Sequence, residues 1–319
     1  MIKTDSQERC RILLDVGGTG IKGAFTEGDG TIAGYREFPS GSDRDATGVF
    51  DHFAAILTEL FRDSGAGSLS GIGFAFPGPF DYENGISLMK GIGKYDSIYG
   101  MSFRKELDRR IPQLSRVKML FLHDIEAFGI GCVAGGIVPA KGRALCLCIG
   151  TGAGSCFLVD GRPVKPGTIS GGEKDTTGIP TNGWIYNTPF KDSIIDDYLS
   201  ERGLETLALS VTGRKMTGKE LASAAAGGSR KARDIFDAFG ENLAQAMEPF
   251  LTSFHPQTVV MGGKISESFS YFGSSFEKIC REQGVQIGME KETSLRAMQG
   301  LETMLKREAP GAETARHGV

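Results

Sequence analysis

No stretch of this 319-residue chain approaches the roughly 18 consecutive apolar residues of a membrane-spanning helix, and residues 1–6 carry no apolar segment of the signal-peptide kind. A basic excess is missing too. Lys and Arg number 36 against 39 Asp and Glu, a net charge of −3, the wrong balance for a nucleic-acid binder. The six cysteines form no C-x-x-C pair, a scatter that fits reduced thiols in the cytoplasm rather than a disulfide framework. These absences argue against membrane, secreted and nucleic-acid-binding classes. With 40% apolar and 24% charged residues, a cytoplasmic globular protein is expected.

Glycine is the residue in excess: 46 in all, about twice the usual share of roughly 7%. It gathers in loops between apolar runs. Residues 11–16 read as a strand, 17–20 as a glycine loop, 21–25 as a second strand and 28–30 as a turn. The same order returns at 145–149, 150–154, 156–159 and 160–161. A single offset places Gly17 on Gly150 and Gly28 on Gly161, so a duplicated architecture is expected. Helical spacing of Val49, Phe50, Phe53, Ile56, Leu57, Leu60 and Phe61 predicts a helix over 46–63. Buried strands are expected at 71–76, closed by Pro77-Gly78-Pro79, and at 118–122, ending in His123-Asp124. A long helix over 229–254 carries Pro249 as a candidate kink, and a strand at 258–261 runs into Gly262-Gly263. A last helix spans 294–307. Strands alternating with helices indicate an α/β protein.

Residues 15–22, D-V-G-G-T-G-I-K, carry the most chemistry. Glycines let consecutive N–H groups face an anion, Thr19 adds a hydroxyl donor, and Asp15 at a strand end could hold Mg²⁺ directly or through water. An ordinary tight hairpin with a solvated Asp is the other reading. The segment is neither a P-loop nor a dinucleotide fingerprint. Residues 150–154, G-T-G-A-G, form a second candidate phosphate loop. Gly262-Gly263 after a buried strand would let a flat nucleotide approach the backbone. Asp124, at the tip of a buried strand, suits a general base for phosphoryl transfer to an alcohol; it equally suits the N-cap of the helix that follows.

Taken in order, these segments resemble the ROK family of repressors and sugar kinases, over about residues 11–266. Residues 15–22 match its D-x-G-G-T-x-x-K phosphate motif, and 73–85, GFAFPGPFDYENG, are similar to its V-P-G-P-x-D-x-x-x-G segment. Residues 123–127, HDIEA, lie where the family has N-D-x-x-A, whose Asp is the catalytic base. Residues 150–161 resemble its second phosphate loop and 259–266 its V-L-G-G-x-x-S adenosine segment. There are departures. Glu173 stands where the family's E-x-G-H segment begins, but Thr176 takes the place of its His. The cysteine-rich C-x-C-G-x-x-G-C-x-E zinc motif is absent, so no structural zinc is expected. His123 replaces the customary Asn, and residues 88–95 lack the Asn that members often set against the sugar.

The resemblance implies a two-domain actin-like ATPase fold of ribonuclease-H-like topology, with domains at 1–122 and 123–293 and the helix 294–307 returning to the first. It implies ATP-dependent phosphorylation of a hydroxyl on a sugar or sugar derivative, the substrates meeting in a cleft. ATP and Mg²⁺ would be bound by Asp15, Gly17, Gly18, Thr19, Lys22, Gly150, Thr151, Gly152, Gly262 and Gly263. Pro77, Gly78, His123, Asp124 and Glu173 would hold the sugar, with Asp124 as base. Family members are often dimers, so a homodimer is a candidate assembly. A non-catalytic sugar sensor is the alternative that the departures favour, and an ATPase acting on a protein partner is a third. The helix-turn-helix of ROK repressors is not expected ahead of the first strand.

Overall fold

The computed structural model describes residues 9–166 and 176–307, and the chain divides into two compact units. One takes the described residues up to Ala134 together with those from Ser294 onward; the other is Gly135–Thr293.

In the first unit, β1 (Arg9–Val16) forms antiparallel pairs through β2 (Gly20–Thr26) to β3 (Ile32–Pro39). After α1 (Ala46–Ser64), β4 (Ser68–Phe76) joins β1 on its other side in parallel. A short ribbon, β5 (Phe80–Asp81) with β6 (Ile86–Ser87), and helix α2 (Phe103–Arg110) lead to β7 (Lys118–His123), which lies parallel to β4. The sheet order is β3-β2-β1-β4-β7. β1 is central because it is apolar on both sides: strand alternation sends Ile12, Leu14 and Val16 to one face and Leu13 to the other. The first face packs on Val49, Phe50, Phe53 and Leu60 of α1 and on the rings of Phe74, Phe76 and Phe103. α1 starts where the Asp45 side chain accepts the Gly48 N–H and stops at Gly65 in the left-handed region, a matched pair of caps. After β7 comes α3 (Asp124–Ala134).

The second unit repeats the plan. β8 (Arg143–Ile149), β9 (Ala153–Val159) and β10 (Arg162–Pro163) are antiparallel neighbours. A ribbon of β11 (Pro189–Phe190) and β12 (Ser193–Ile194) precedes α4 (Ile195–Tyr198), α5 (Glu201–Thr212), α6 (Gly218–Ala226) and α7 (Arg230–Phe254). Then come β13 (Thr258–Gly262), α8 (Phe269–Phe272), α9 (Ser274–Glu282) and β14 (Gln286–Met289). The order β10-β9-β8-β13-β14 carries the same strand directions as the first sheet, so the duplication anticipated from the glycine loops is present. The two hairpins nevertheless differ in register. Val16 pairs with Ile21, leaving residues 17–20 as the first loop, whereas Ile149 pairs with Ala153 and leaves only 150–152. α7 runs unbroken through Pro249, and its Phe236, Phe239, Leu243, Met247 and Phe254 meet Leu145, Leu147, Ile149 and Phe157 in one core.

The last helix, α10 (Thr293–Arg307), returns to the first unit, where Ala297, Met298, Leu301 and Leu305 cover Leu13, Ala24, Ala75 and Ala127. It crosses α3 at glycines. A Cβ on Gly131 would stand 1.7 Å from the Arg296 carbonyl oxygen, and one on Gly300 would stand 1.9 Å from that of Ala127. This contact keeps α3 with the first unit, whereas the division expected after residue 122 placed it in the second. Among the described residues no helix is long and apolar enough to cross a membrane.

Candidate active site

Because β1, β4 and β7 run parallel, their C-terminal ends share one edge of the first sheet. Asp15 pairs with Ala75 near the end of β1, Pro77 and Gly78 follow β4, and His123 ends β7 opposite Phe76. Asp124 is the first residue of α3. Parallel pairing thus gathers Asp15, Pro77, Gly78, His123 and Asp124, as ligand sites of open α/β sheets require.

The 17–20 loop closes with the Gly17 N–H donating to the Gly20 carbonyl at 2.9 Å. Its outer carbonyls are held from behind. Tyr95 donates its hydroxyl to Gly17 O at 3.2 Å, while Ser40 and Ser42 donate theirs to Gly18 O at 2.8 and 3.0 Å. A planar trans peptide places N–H opposite C=O, so these anchors turn the Gly18 and Thr19 N–H groups the other way, available to an anion. The Lys94 side chain lies across the same loop: a Cβ on Gly18 would stand 2.9 Å from its Cδ. Thr19 is exposed at the tip.

The two carboxylates on this edge are driven apart. Burial pushes the Asp15 carboxyl up, and the Asp124 charge adds to the rise; the Ser294 hydroxyl and Lys22 oppose it without winning. Lys22 donates to Ser294 Oγ at 2.9 Å, so α10 is tied to β2 at the residue that pairs with Asp15. Burial also acts to raise Asp124. There, the close approach of the His123 imidazole, the Ile125 N–H at 2.7 Å and the charge of Lys94 together hold it below the usual carboxylate range. His123 Nδ1 lies 2.8 Å from Asp124 Oδ1. Burial, with the charges of Asp124 and Glu126, drives the Tyr82 hydroxyl far up; it stays protonated and donates to Phe76 O at 3.0 Å. Carboxylates tuned in opposite senses at one site mark candidate acid–base and ion-binding roles.

In the second unit, the 150–152 loop and Gly262-Gly263 share the corresponding edge of their own sheet. Gly150 N–H donates to Gly152 O at 3.0 Å, and the Glu201 N–H donates to Gly150 O at 2.8 Å. Asp196 braces the loop by accepting the Ala153 N–H at 2.7 Å, and is itself paired with Arg202. Gly263 has φ +88, and a Cβ there would stand 2.4 Å from Ile149 O, so only glycine brings the backbone this close to the loop. Ser266 donates to Gly262 O at 2.7 Å.

Among the residues anticipated from sequence, Asp15, Gly17, Gly18, Thr19, Lys22, Pro77, Gly78, His123 and Asp124 fall on the first edge. Gly150, Thr151, Gly152, Gly262 and Gly263 fall on the second. Glu173 lies outside the described residues. Sequence reasoning missed Ser40, Ser42, Lys94, Tyr95, Asp196 and Ser294. Lys94 and Tyr95 lie in the 88–95 segment, which was notable in sequence only for the Asn it lacks, the other four sit in no glycine motif, and each acquires its role from a distant segment. No group of three or more His, Cys, Asp or Glu among the described residues could hold a metal ion. Mg²⁺ asks for less: one or two carboxylates suffice where phosphates and water complete its shell. Asp15, an oxygen donor with a second carboxylate nearby, fits that need.

A family model described as the ROK family matches residues 11–299. The N-acetyl-D-glucosamine kinase of Photobacterium profundum is 29% identical in an alignment of 263 positions that covers 79% of this chain and 83% of that protein. A ROK family glucokinase from Streptomyces griseus, solved in complex with glucose and AMPPNP, aligns with a TM-score of 0.67 at 17% identity, covering 93% of this chain and 99% of that one. A ROK family transcriptional regulator, a homologue of the E. coli MLC protein, aligns with a TM-score of 0.70 at 16% identity, covering 93% and 78%. The repeated sheets are those of the actin-like ATPase fold, with one ribonuclease-H-like plan in each unit.

Proposed function

This chain belongs to the ROK family, and on that premise we propose that it is a kinase transferring the γ-phosphoryl group of ATP to a hydroxyl of a sugar or sugar derivative. The observation that carries the reading is the gathering of Asp15 and Asp124 at one sheet edge beside a glycine hairpin with outward N–H groups, and the opposite pulls on the two carboxyls agree with it. Asp124 takes the hydroxyl proton as the oxygen's electron pair forms the new bond to phosphorus and the bond to the departing ADP oxygen breaks. Held ionised, it is ready to accept. In the first unit Gly17, Gly18, Thr19 and Lys22 are assigned to phosphate oxygens. In the second, Gly150, Thr151, Gly152, Gly262 and Gly263 are assigned to the nucleotide. Asp15 would hold Mg²⁺, which when bound with ATP offsets charge on the phosphate oxygens. Pro77 and Gly78 are assigned to the sugar.

The test is ADP release coupled to a sugar panel led by N-acetyl-D-glucosamine and glucose, the sugars tied by name to the relatives above. Sugar-dependent turnover that needs Mg²⁺ supports the kinase. Sugar binding without turnover identifies a sensor, a reading that His123 in place of Asn and Thr176 in place of His keep in view. ADP release indifferent to sugar identifies an ATPase and overturns the proposal.

A further inference from the structure

Two lysines stand at the first hairpin, and they are not equivalent. Lys22 donates its ammonium to Ser294 Oγ at 2.9 Å. Lys94 reaches the hairpin from the segment after β6, and among the described residues its ammonium has neither a hydrogen-bond nor an ion-pair partner. Its stem lies where a side chain at position 18 would be. A Cβ on Gly18 would stand 2.9 Å from Lys94 Cδ, 3.9 Å from its Cβ and 4.0 Å from its Cγ. Gly18 is not in the left-handed region, so the absence of a side chain there serves the lysine rather than the backbone. The chain on both sides of Lys94 is fixed. Asp96 accepts the Ile92 and Gly93 N–H groups at 3.1 and 3.0 Å. Tyr95 is fully buried; its N–H donates to Ser42 O at 2.8 Å and its hydroxyl to Gly17 O at 3.2 Å. The anchors that turn the hairpin carbonyls away therefore also carry this half-buried lysine.

A half-buried ammonium held without a partner beside outward backbone N–H groups is arranged for an anion. We propose that Lys94 is a catalytic residue: with the Gly18 and Thr19 N–H groups, its ammonium holds oxygens of the terminal phosphoryl group of ATP and offsets their charge during transfer. The inference rests on the kinase reading for its reaction, while its geometry stands apart from that reading. Lys94 exchanges no proton in the step. Asp124 takes the hydroxyl proton, the acceptor oxygen bonds to phosphorus, and the bond to the departing ADP oxygen breaks with its electron pair staying on ADP. The position agrees with the electrostatics of the base: against burial, the His123 imidazole, the Ile125 N–H and the charge of Lys94 hold the Asp124 carboxyl down. One cation thus lies across the hairpin and within electrostatic reach of the base.

Lys94→Met keeps a stem over Gly18 and removes the charge. Calorimetry in Mg²⁺ with two nucleotides reads the terminal phosphate alone: ADP lacks it, and AMPPNP carries one that is not transferred. Lys94→Met should weaken AMPPNP about 10- to 100-fold and ADP less than about threefold, the loss of one charged hydrogen-bond donor. Lys94→Arg, which keeps the charge, should hold AMPPNP within about tenfold of the unaltered protein. With a sugar that turns over and saturating ATP, Lys94→Met should lower kcat about 10²- to 10³-fold and leave KM for the sugar unchanged. A thermal melt of each variant checks the fold. Equal weakening of the two nucleotides, or none, overturns the inference. A rise in KM for the sugar alone overturns it too and makes Lys94 a sugar contact. If every sugar proves inert, the kinase reading fails while the two nucleotides still judge Lys94. Normal turnover by Lys94→Met leaves the kinase reading standing and removes Lys94 from it, and a protein that binds neither nucleotide sinks both.

Discussion

Asp15 and Asp124 share a chemical type and one sheet edge, yet their surroundings pull them in opposite directions, and each sense has a measurable consequence. Asp15 is raised in the folded state, so its ionisation costs stability at pH values above the folded value and the cost fades on acidification. Asp15→Asn should therefore melt at or above the temperature of the unaltered protein at pH 8. The difference should shrink as pH falls through the carboxylate range, while Mg²⁺-dependent turnover is lost; a lower melting point at pH 8 would contradict the assignment. Asp124 is lowered, so the stability it contributes is present above the ordinary carboxylate value and disappears as pH drops through the folded value. Asp124→Asn should leave nucleotide binding intact by calorimetry and reduce kcat by about 10²- to 10⁴-fold, the range general-base loss produces. Ser294, buried beside Asp15, accepts from Lys22. Ser294→Ala should cost about 1 kcal/mol in urea unfolding and raise the Mg²⁺ requirement, since Lys22 loses its acceptor beside Asp15.

Helix α10 is where a single element decides the site. It reaches the first sheet only because Gly131 and Gly300 allow α3 and α10 to touch backbone to backbone. Gly300→Leu would drive a side chain into the Ala127 carbonyl, an atom that cannot rotate aside, and should cost about 3 kcal/mol in urea unfolding. Activity should fall further than stability explains, because Ser294 rides on the displaced helix. Asp45→Ala, which removes the N-cap of α1 on the opposite face, should cost about 1 kcal/mol and leave kcat alone. A comparable loss of kcat in both variants would mean that helix position does not matter to the site. The periodicity of α1 was plain in its sequence, and the helix stands at Ala46–Ser64, within a residue of expectation. α2 and α9 were not anticipated; each is short, and local periodicity over so few residues is weak beside tertiary packing.

At the scale of the whole molecule, one sheet plan occurs twice, each copy with its own core and its own glycine hairpin. Hydrogen exchange should resolve their duties. ADP with Mg²⁺ should protect the amides of 150–152 and 262–263, and a productive sugar those around 77–78 and 123–124; absence of nucleotide protection at 262–263 would remove that segment from the nucleotide site. The repeat was visible in sequence because a strand–glycine–strand unit is specified by neighbours in the chain, through turn chemistry and alternation. For the same reason Asp15, Asp124 and the glycines at 17, 150 and 262 could be singled out beforehand. The one-residue difference between the hairpins could not, since pairing register is chosen by the partner strand. Nor could the opposite tuning of the two aspartates, the turning of the first hairpin by Ser40, Ser42 and Tyr95, or the Lys22–Ser294 bond spanning 272 positions. Local order along the chain determined which groups exist and on what kind of element; electrostatics and anchoring are set by groups remote in sequence, and only folding brings them within bonding distance.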